Sequence, residues 1–446
     1  MYKQLVALTT AALLFSTIHF SHAANPKERK LYVGSNSTEA ILEFNGTVEL
    51  ESLRSPQEKT IRSVIESQLE HIVGPMSLTT YKAVPKGDHT VTDIKILTRS
   101  GNTLSISYKY KGSIVLENGP KETYNIYLPI NPKKIFSAGL IGKTNPCTDH
   151  HYQSEGDFWY FWSPERVGCK LKEGKDYLIV KAKVQRFVNS ELSYPEYQNL
   201  PDEKGNITIH LLFGMDDPRK DRNPLTSDDI NAYNYKTIRD YFIKNGYKAT
   251  RWSDAQVDAI AKTLNGDTPF VETLQKGKLV YRFFFAPTGI NEDSLGFHWF
   301  YKDAIENASI MMYVGHSGLG GHLDLNSIEY NLGEQIKFNK ARYQIFFFNS
   351  CTSYRYYNSA YFARKVSDKD SKGTKMLDIF TNGLSTYFSE MPNSNIALIT
   401  AVEKSLNYAQ NNNKFVSYQT LAKQIDSENL FGINGDEDNT PPSAIK

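Results

Sequence analysis

The chain has 446 residues with 51 Lys plus Arg against 49 Asp plus Glu, a formal net charge of +2, so no charge excess points to nucleic acid or an anionic membrane as its main partner. With 40% hydrophobic, 13% aromatic and 22% charged residues it falls outside disordered, collagenous and coiled-coil compositions. Its length is about three times the ~150-residue domain size, which predicts two domains rather than one.

The first 23 residues read as a signal peptide. Met1-Tyr2-Lys3 precedes an apolar run over 5–20, and Ser21-His22-Ala23 places small residues where a signal peptidase cuts, after Ala23. The run is shorter than the ~20 apolar residues that span a bilayer. No cysteine stands at the cut, and no later segment is long and apolar enough to span. The expectation is an exported protein, periplasmic or secreted, with no membrane anchor once the leader is removed.

Residues 24–200 read as a β-rich (α+β) N-terminal region. Alternating patterns predict strands over 103–110, 113–116 and 124–128, punctuated by Lys111-Gly112 and Asn118-Gly119. One amphipathic helix is expected between 56 and 74, where Ile61, Val64, Ile65, Leu69, Ile72 and Val73 recur at helical spacing. The region holds no acid, base or nucleophile constellation, which leaves a binding, scaffold or prosegment role. Export favours disulfides, and Cys147 and Cys169 are expected to staple the polar, aromatic loop 145–175. His150 and His151 within it are not read as zinc ligands, because adjacent histidines rarely face one ion and the spacing matches no common finger. The run Phe158-Trp159-Tyr160-Phe161-Trp162 reads as local core in preference to a carbohydrate platform. A further strand follows over 178–184, and 193–205 reads as a linker.

Residues 206–446 change to an α/β rhythm. Apolar strands are expected over 207–213, 279–285, 310–314, 344–348 and 396–402, with helices over 227–245, 294–307 and 376–389; Thr226 or Ser227 would cap the first helix, and Gly246 follows it. Such alternation predicts a mainly parallel sheet with helices on both faces, whose ligands bind beyond the carboxyl ends of the strands. Two of those ends carry chemistry. One strand runs into Gly315-His316-Ser317-Gly318 and the next into Asn349-Ser350-Cys351-Thr352. If the two strands are neighbours, an imidazole and an unpaired thiol share one edge, the arrangement in which a base activates a nucleophile.

These residues resemble the caspase, legumain and gingipain type (clan CD) of cysteine peptidase, in which one apolar strand ends in His-Gly and a second in a small residue and the catalytic Cys. Here IMMYVGHSG and QIFFFNSC stand in those places, and the resemblance covers residues 206–405. It implies a caspase-like fold, a protein or peptide substrate, and no metal or organic cofactor. It further implies His316 as general base and acid, Cys351 as nucleophile, and an oxyanion hole from the N–H of Cys351 and of Ser317 or Gly318. Ser317 before Gly318 departs from His-Gly, and the QACRG pentapeptide is absent. Asp216 and Asp217 follow the first strand at the same edge, either to select a basic substrate side chain or as solvated loop acids, and Tyr354 stands where a specificity pocket would have its border.

Three other readings use the same letters. Gly315-His316-Ser317 is similar to the α/β-hydrolase elbow, with Ser317 as nucleophile of an esterase or lipase, but position 319 is Leu where the elbow needs Gly, and 322–333 reads as strand and turn where it needs a helix. His316, His322 and Asp324 cluster in sequence without a metal-ligand spacing. A degenerate peptidase fold that only binds is the remaining alternative.

Overall fold

The computed structural model describes residues 32–52, 55–119, 122–187, 192–264, 268–290, 294–407, 414–435 and 442–443. The expected leader over 1–23 lies outside the described residues. Fourteen strands are described: β1 (Val33–Gly34), β2 (Ser37–Glu51), β3 (Ala83–Ser100), β4 (Thr103–Glu117), β5 (Thr123–Pro129), β6 (Tyr177–Arg186), β7 (Ile207–Met215), β8 (Lys248–Arg251), β9 (Phe270–Lys276), β10 (Leu279–Pro287), β11 (Ile310–Val314), β12 (Gln344–Asn349), β13 (Leu377–Thr381) and β14 (Gly432–Asn434).

They form two sheets, and the fold is mixed α/β. The small sheet is antiparallel, in the order β3-β4-β2-β6-β5. Its inner face packs Leu42, Val48, Leu104 and Ile106 against Ile61, Val64, Ile65 and Leu69 of the helix Glu58–Glu70, whose apolar residues recur at helical spacing. The large sheet has the order β1-β14-β13-β12-β11-β7-β10-β9-β8. Its five central strands, β13-β12-β11-β7-β10, are parallel, and the flanking strands are antiparallel. The central strands are mostly apolar, as strands covered on both faces are, with His210, Arg282, Gln344 and Asp378 among the exceptions. Ile310, Met312, Ile345 and Phe347 meet the helices Ile230–Lys244, Met391–Leu406 and Tyr418–Ile425, while Met311, Tyr313, Phe346 and Phe348 meet Leu295–Asn307, Leu325–Leu332 and Ser359–Lys365. Among the described residues, no helix is long and apolar enough to cross a membrane.

Several expectations are corrected. The turn expected at Lys111-Gly112 is the middle of β4; Gly112 is there because the Tyr110 ring folds over it, so that a Cβ would lie 2.4 Å from the tyrosine oxygen. The segment 376–389 holds strand β13 rather than a helix, with Leu377 and Ile379 buried on one face of the sheet and Phe380 on the other. The strand expected over 396–402 lies inside the helix Met391–Leu406, which has Pro392 in its first turn, the position where proline's missing N–H costs nothing. Asp229, not Thr226 or Ser227, caps Ile230–Lys244 by accepting the Asn231 N–H at 2.8 Å. Residues 322–333, expected as strand and turn, include the helix Leu325–Leu332.

The boundary between the two regions is also tighter than a linker. Tyr197 and Leu200 are buried in the C-terminal core, and the Tyr197 hydroxyl donates to the Val416 carbonyl at 2.9 Å. Strand β1, from the N-terminal region, pairs with β14 at the edge of the large sheet.

Candidate functional site

Three neighbouring parallel strands deliver the site. β11 pairs with β12 from Ile310↔Ile345 to Val314↔Asn349, and with β7 from Ile310↔Ile209 to Val314↔Phe213. His316 and Cys351 therefore each stand two residues beyond a paired strand end, and Asp216 follows the last residue of β7. The carboxyl edge expected from the alternation holds all three.

The Nε2 of His316 lies 2.7 Å from Asp216 Oδ1, and the imidazole stands edge-on to the Phe388 ring at 4.9 Å between centroids. The backbone on both sides is tied down. The Tyr313 hydroxyl donates to the His316 carbonyl at 2.7 Å, and the Tyr357 hydroxyl to the Ser317 carbonyl at 2.9 Å. Asp216 is held by its own backbone: the N–H groups of Asp216 and Asp217 donate to the Asp229 carboxylate at 3.0 and 2.9 Å. The helix cap at Asp229 thus fixes the turn that carries the partner of His316.

Cys351 has an unpaired, half-buried thiol. Its Sγ accepts the Thr386 N–H at 3.4 Å and faces the Thr386 carbonyl at 3.7 Å. Burial pushes the thiol pKa up, and the Thr386 N–H only partly offsets this. Among the described residues the thiol has no hydrogen bond to His316 and faces Thr386. Among the same residues no carbonyl oxygen accepts the N–H of Ser317, Gly318 or Cys351. Gly318 and Gly320 hold φ of +55° and +94°, and a Cβ on Gly318 would meet the His322 ring at 2.1 Å, so the turn after His316 depends on glycine.

The other candidates separate. Asp217 is held by Arg219 through two side-chain hydrogen bonds of 2.9 and 2.8 Å, which with the Arg219 N–H lower its pKa to about 2 and keep its carboxylate ionised. Tyr354 does not border a pocket. It is fully buried and donates to Glu39 Oε1 of β2 at 2.8 Å, bracing the segment behind Cys351 on the small sheet. Arg355 continues this brace, with its guanidinium over Trp159 at 5.6 Å. Ser317 precedes a single 3-10 turn, Gly318–Gly320, and the next helix begins only at Leu325, so the sharp strand-to-helix elbow of a serine hydrolase is not built. Asp324 is occupied in capping that helix, accepting the Ser327 N–H at 2.8 Å. Burial, reinforced by the charge of His316, lowers the His322 pKa to about 4. Those two and His316 do not converge as metal ligands among the described residues.

The wall beside the thiol was not legible from the chain's residue pattern. Cys147 and Cys169 are joined, and the stapled loop carries Tyr160 inward, where its hydroxyl bonds Thr352 next to Cys351 and lies 3.3 Å from Ser385. Phe158, Tyr160 and Trp162 are buried, in keeping with the local-core reading of that run. A cleft of about 510 Å³ opens here between the two regions, lined by Tyr160, Phe161, Thr352, Ser385, Thr386 and Tyr387 among others. A hollow of about 700 Å³ around Glu43, Lys183 and Arg186 lies on the small sheet and holds no nucleophile.

Comparison with family models, with curated proteins and with solved structures gives no match for this chain.

Proposed function

We propose that the chain is an exported cysteine peptidase, similar to the caspase, legumain and gingipain type, that cleaves a protein or peptide through Cys351 and His316. The observation that carries this reading is the delivery of Asp216, His316 and Cys351 to one sheet edge by three adjacent parallel strands, with Asp216 on the His316 ring. Asp216 holds Nε2 and leaves Nδ1 to exchange the proton of catalysis. In the first step the Cys351 proton passes to His316 and sulfur bonds to the peptide carbonyl carbon, while the carbonyl π pair moves to oxygen. That oxyanion takes the N–H of Cys351 and of Ser317 or Gly318, which no carbonyl occupies at rest. As the C–N bond breaks, His316 returns the proton to the leaving amine. Water, deprotonated by His316, then splits the thioester and regenerates the thiol. No step calls for a metal or organic cofactor.

One observation favours a second reading, a non-catalytic binding protein on the same fold: the buried thiol bonds Thr386 and not His316. A positional peptide library incubated with the mature protein separates the two. Hydrolysis by wild type that is lost in both Cys351→Ala and His316→Ala, with unchanged circular dichroism, supports the peptidase. Hydrolysis that survives Cys351→Ala, or none by wild type, overturns it.

A further inference from the structure

The stapled loop carries a second cluster of reactive side chains, Asp149, His150 and His151, apart from the Cys351 edge. One donor atom from each lies within 4.8 Å of the others. His150 Nδ1 is 3.1 Å and His151 Nδ1 2.9 Å from the same oxygen, Asp149 Oδ1, and the two rings lie 3.7 Å apart between centroids. Adjacent histidines in an extended chain point to opposite sides. Here a turn overrides that, closed by the Tyr152 N–H on the Asp149 carbonyl at 3.0 Å. Gln153 clamps it, donating to the carbonyls of Asp149 and Asn145 at 3.0 and 3.2 Å and accepting the Asn145 N–H at 2.7 Å. The His151 N–H fixes Asp149 Oδ1 at 3.1 Å, and the Cys147–Cys169 bond closes the loop around the turn.

We propose that Asp149, His150 and His151 bind a first-row transition metal ion of the Zn²⁺ class. With metal–nitrogen and metal–oxygen bonds of about 2.0–2.2 Å, a tetrahedral ion needs its donors roughly 3.3 Å apart. These two edges fall just short of this and the third lies within 4.8 Å, so an ion enters by a small adjustment of the triangle. Two imidazoles and one carboxylate suit Zn²⁺, Ni²⁺ or Cu²⁺. They do not suit Ca²⁺, which takes 6–8 oxygens. His150 and His151 are 79% and 72% exposed, so the fourth position opens to solvent. The Arg166 guanidinium lies 3.7 Å from Asp149 Oδ2; it turns Oδ1 toward the histidines and limits the affinity by its charge. The site has a line to the nucleophile: Tyr152, next in the chain, stacks on Phe161 at 4.9 Å and packs on Tyr160, whose hydroxyl bonds Thr352.

The test is calorimetric titration of the oxidised, metal-free protein with ZnCl₂, repeated with Co²⁺ followed by visible absorption. The expected result is one ion per chain in wild type and in Cys351→Ala. Binding should weaken by at least about tenfold in Asp149→Asn and be lost in the double variant His150→Gln/His151→Gln. Both variants alter partly or largely exposed side chains, and thermal unfolding verifies their fold. The proposal is overturned if wild type takes up no ion, if uptake survives the double variant, or if it is lost in Cys351→Ala, which would place the ion on the thiol.

Discussion

Replacing Tyr354 by Phe removes one hydroxyl and leaves the ring packed among Tyr32, Val84, Val115 and Leu430. That hydroxyl donates to Glu39 Oε1 at 2.8 Å, and Glu39 is 3% exposed, so the carboxylate cannot turn to water. Hydrogen bonds to charged groups contribute about 1.5–3 kcal/mol. Lys86 Nζ, 3.7 Å from the same oxygen, stays after the substitution and keeps the carboxylate from being an isolated buried charge. The loss is therefore expected near the low end, about 2 kcal/mol, or roughly 30-fold in the unfolding equilibrium. Equilibrium urea unfolding of wild type, Tyr354→Phe, Glu39→Gln and the double variant gives the pairwise coupling, expected to exceed about 1 kcal/mol. Alkylation of Cys351 by iodoacetamide should accelerate in Tyr354→Phe, because this brace holds the segment that follows the thiol. A stability change under about 0.5 kcal/mol with no coupling would refute the view that the small sheet braces the segment after Cys351.

Two further outcomes follow from the same contact region. Burial lowers the His71 pKa from 6.5 to about 4, so the unfolded chain takes up a proton there that the folded chain refuses; stability should fall as pH drops from 6.5 toward 4, by up to about 3 kcal/mol from this group. Urea midpoints at pH 7.5, 6 and 5 should show a shallower slope in His71→Gln, and equal slopes would refute it. The Cys147–Cys169 bond closes 22 positions of chain, which loop-closure entropy values at about 3 kcal/mol. Cys147→Ala/Cys169→Ala should lose about that much and expose residues 148–168 to limited proteolysis, and unchanged resistance would count against the loop's dependence on its staple.

What was legible in the sequence was local. IMMYV and the IFFF of the next run, apolar and followed by small residues, read as strands buried on both faces, and that would place His316 and Cys351 at one edge if the two strands were neighbours, as β11 and β12 are. Asp216 was found by the same edge logic, but its contact with His316 was not foreseen, because a carboxylate beside a histidine looks in sequence like one that faces a substrate. The exchange of strand and helix between 376 and 406 came from short apolar runs, LDIF and IALITAV, whose periodicity does not separate a buried strand from a buried helix. The Lys111-Gly112 turn, the Asp229 cap and the helix Leu325–Leu332 were further local misses, and the rest were long-range. Tyr354 meets Glu39 across 315 positions, and β1 finds β14 at the far end of the chain.

Those same pairings change what a domain boundary at 206 means. A fragment beginning there would keep the three strands that carry Asp216, His316 and Cys351. It would leave Tyr354 without Glu39, uncover the edge of β14, and lose Tyr160 from beside Thr352. Edge strands and buried hydroxyls stripped of partners are costly. The N-terminal region is therefore part of the support of the site, which accounts for its lack of any catalytic constellation of its own better than a detachable binding module does.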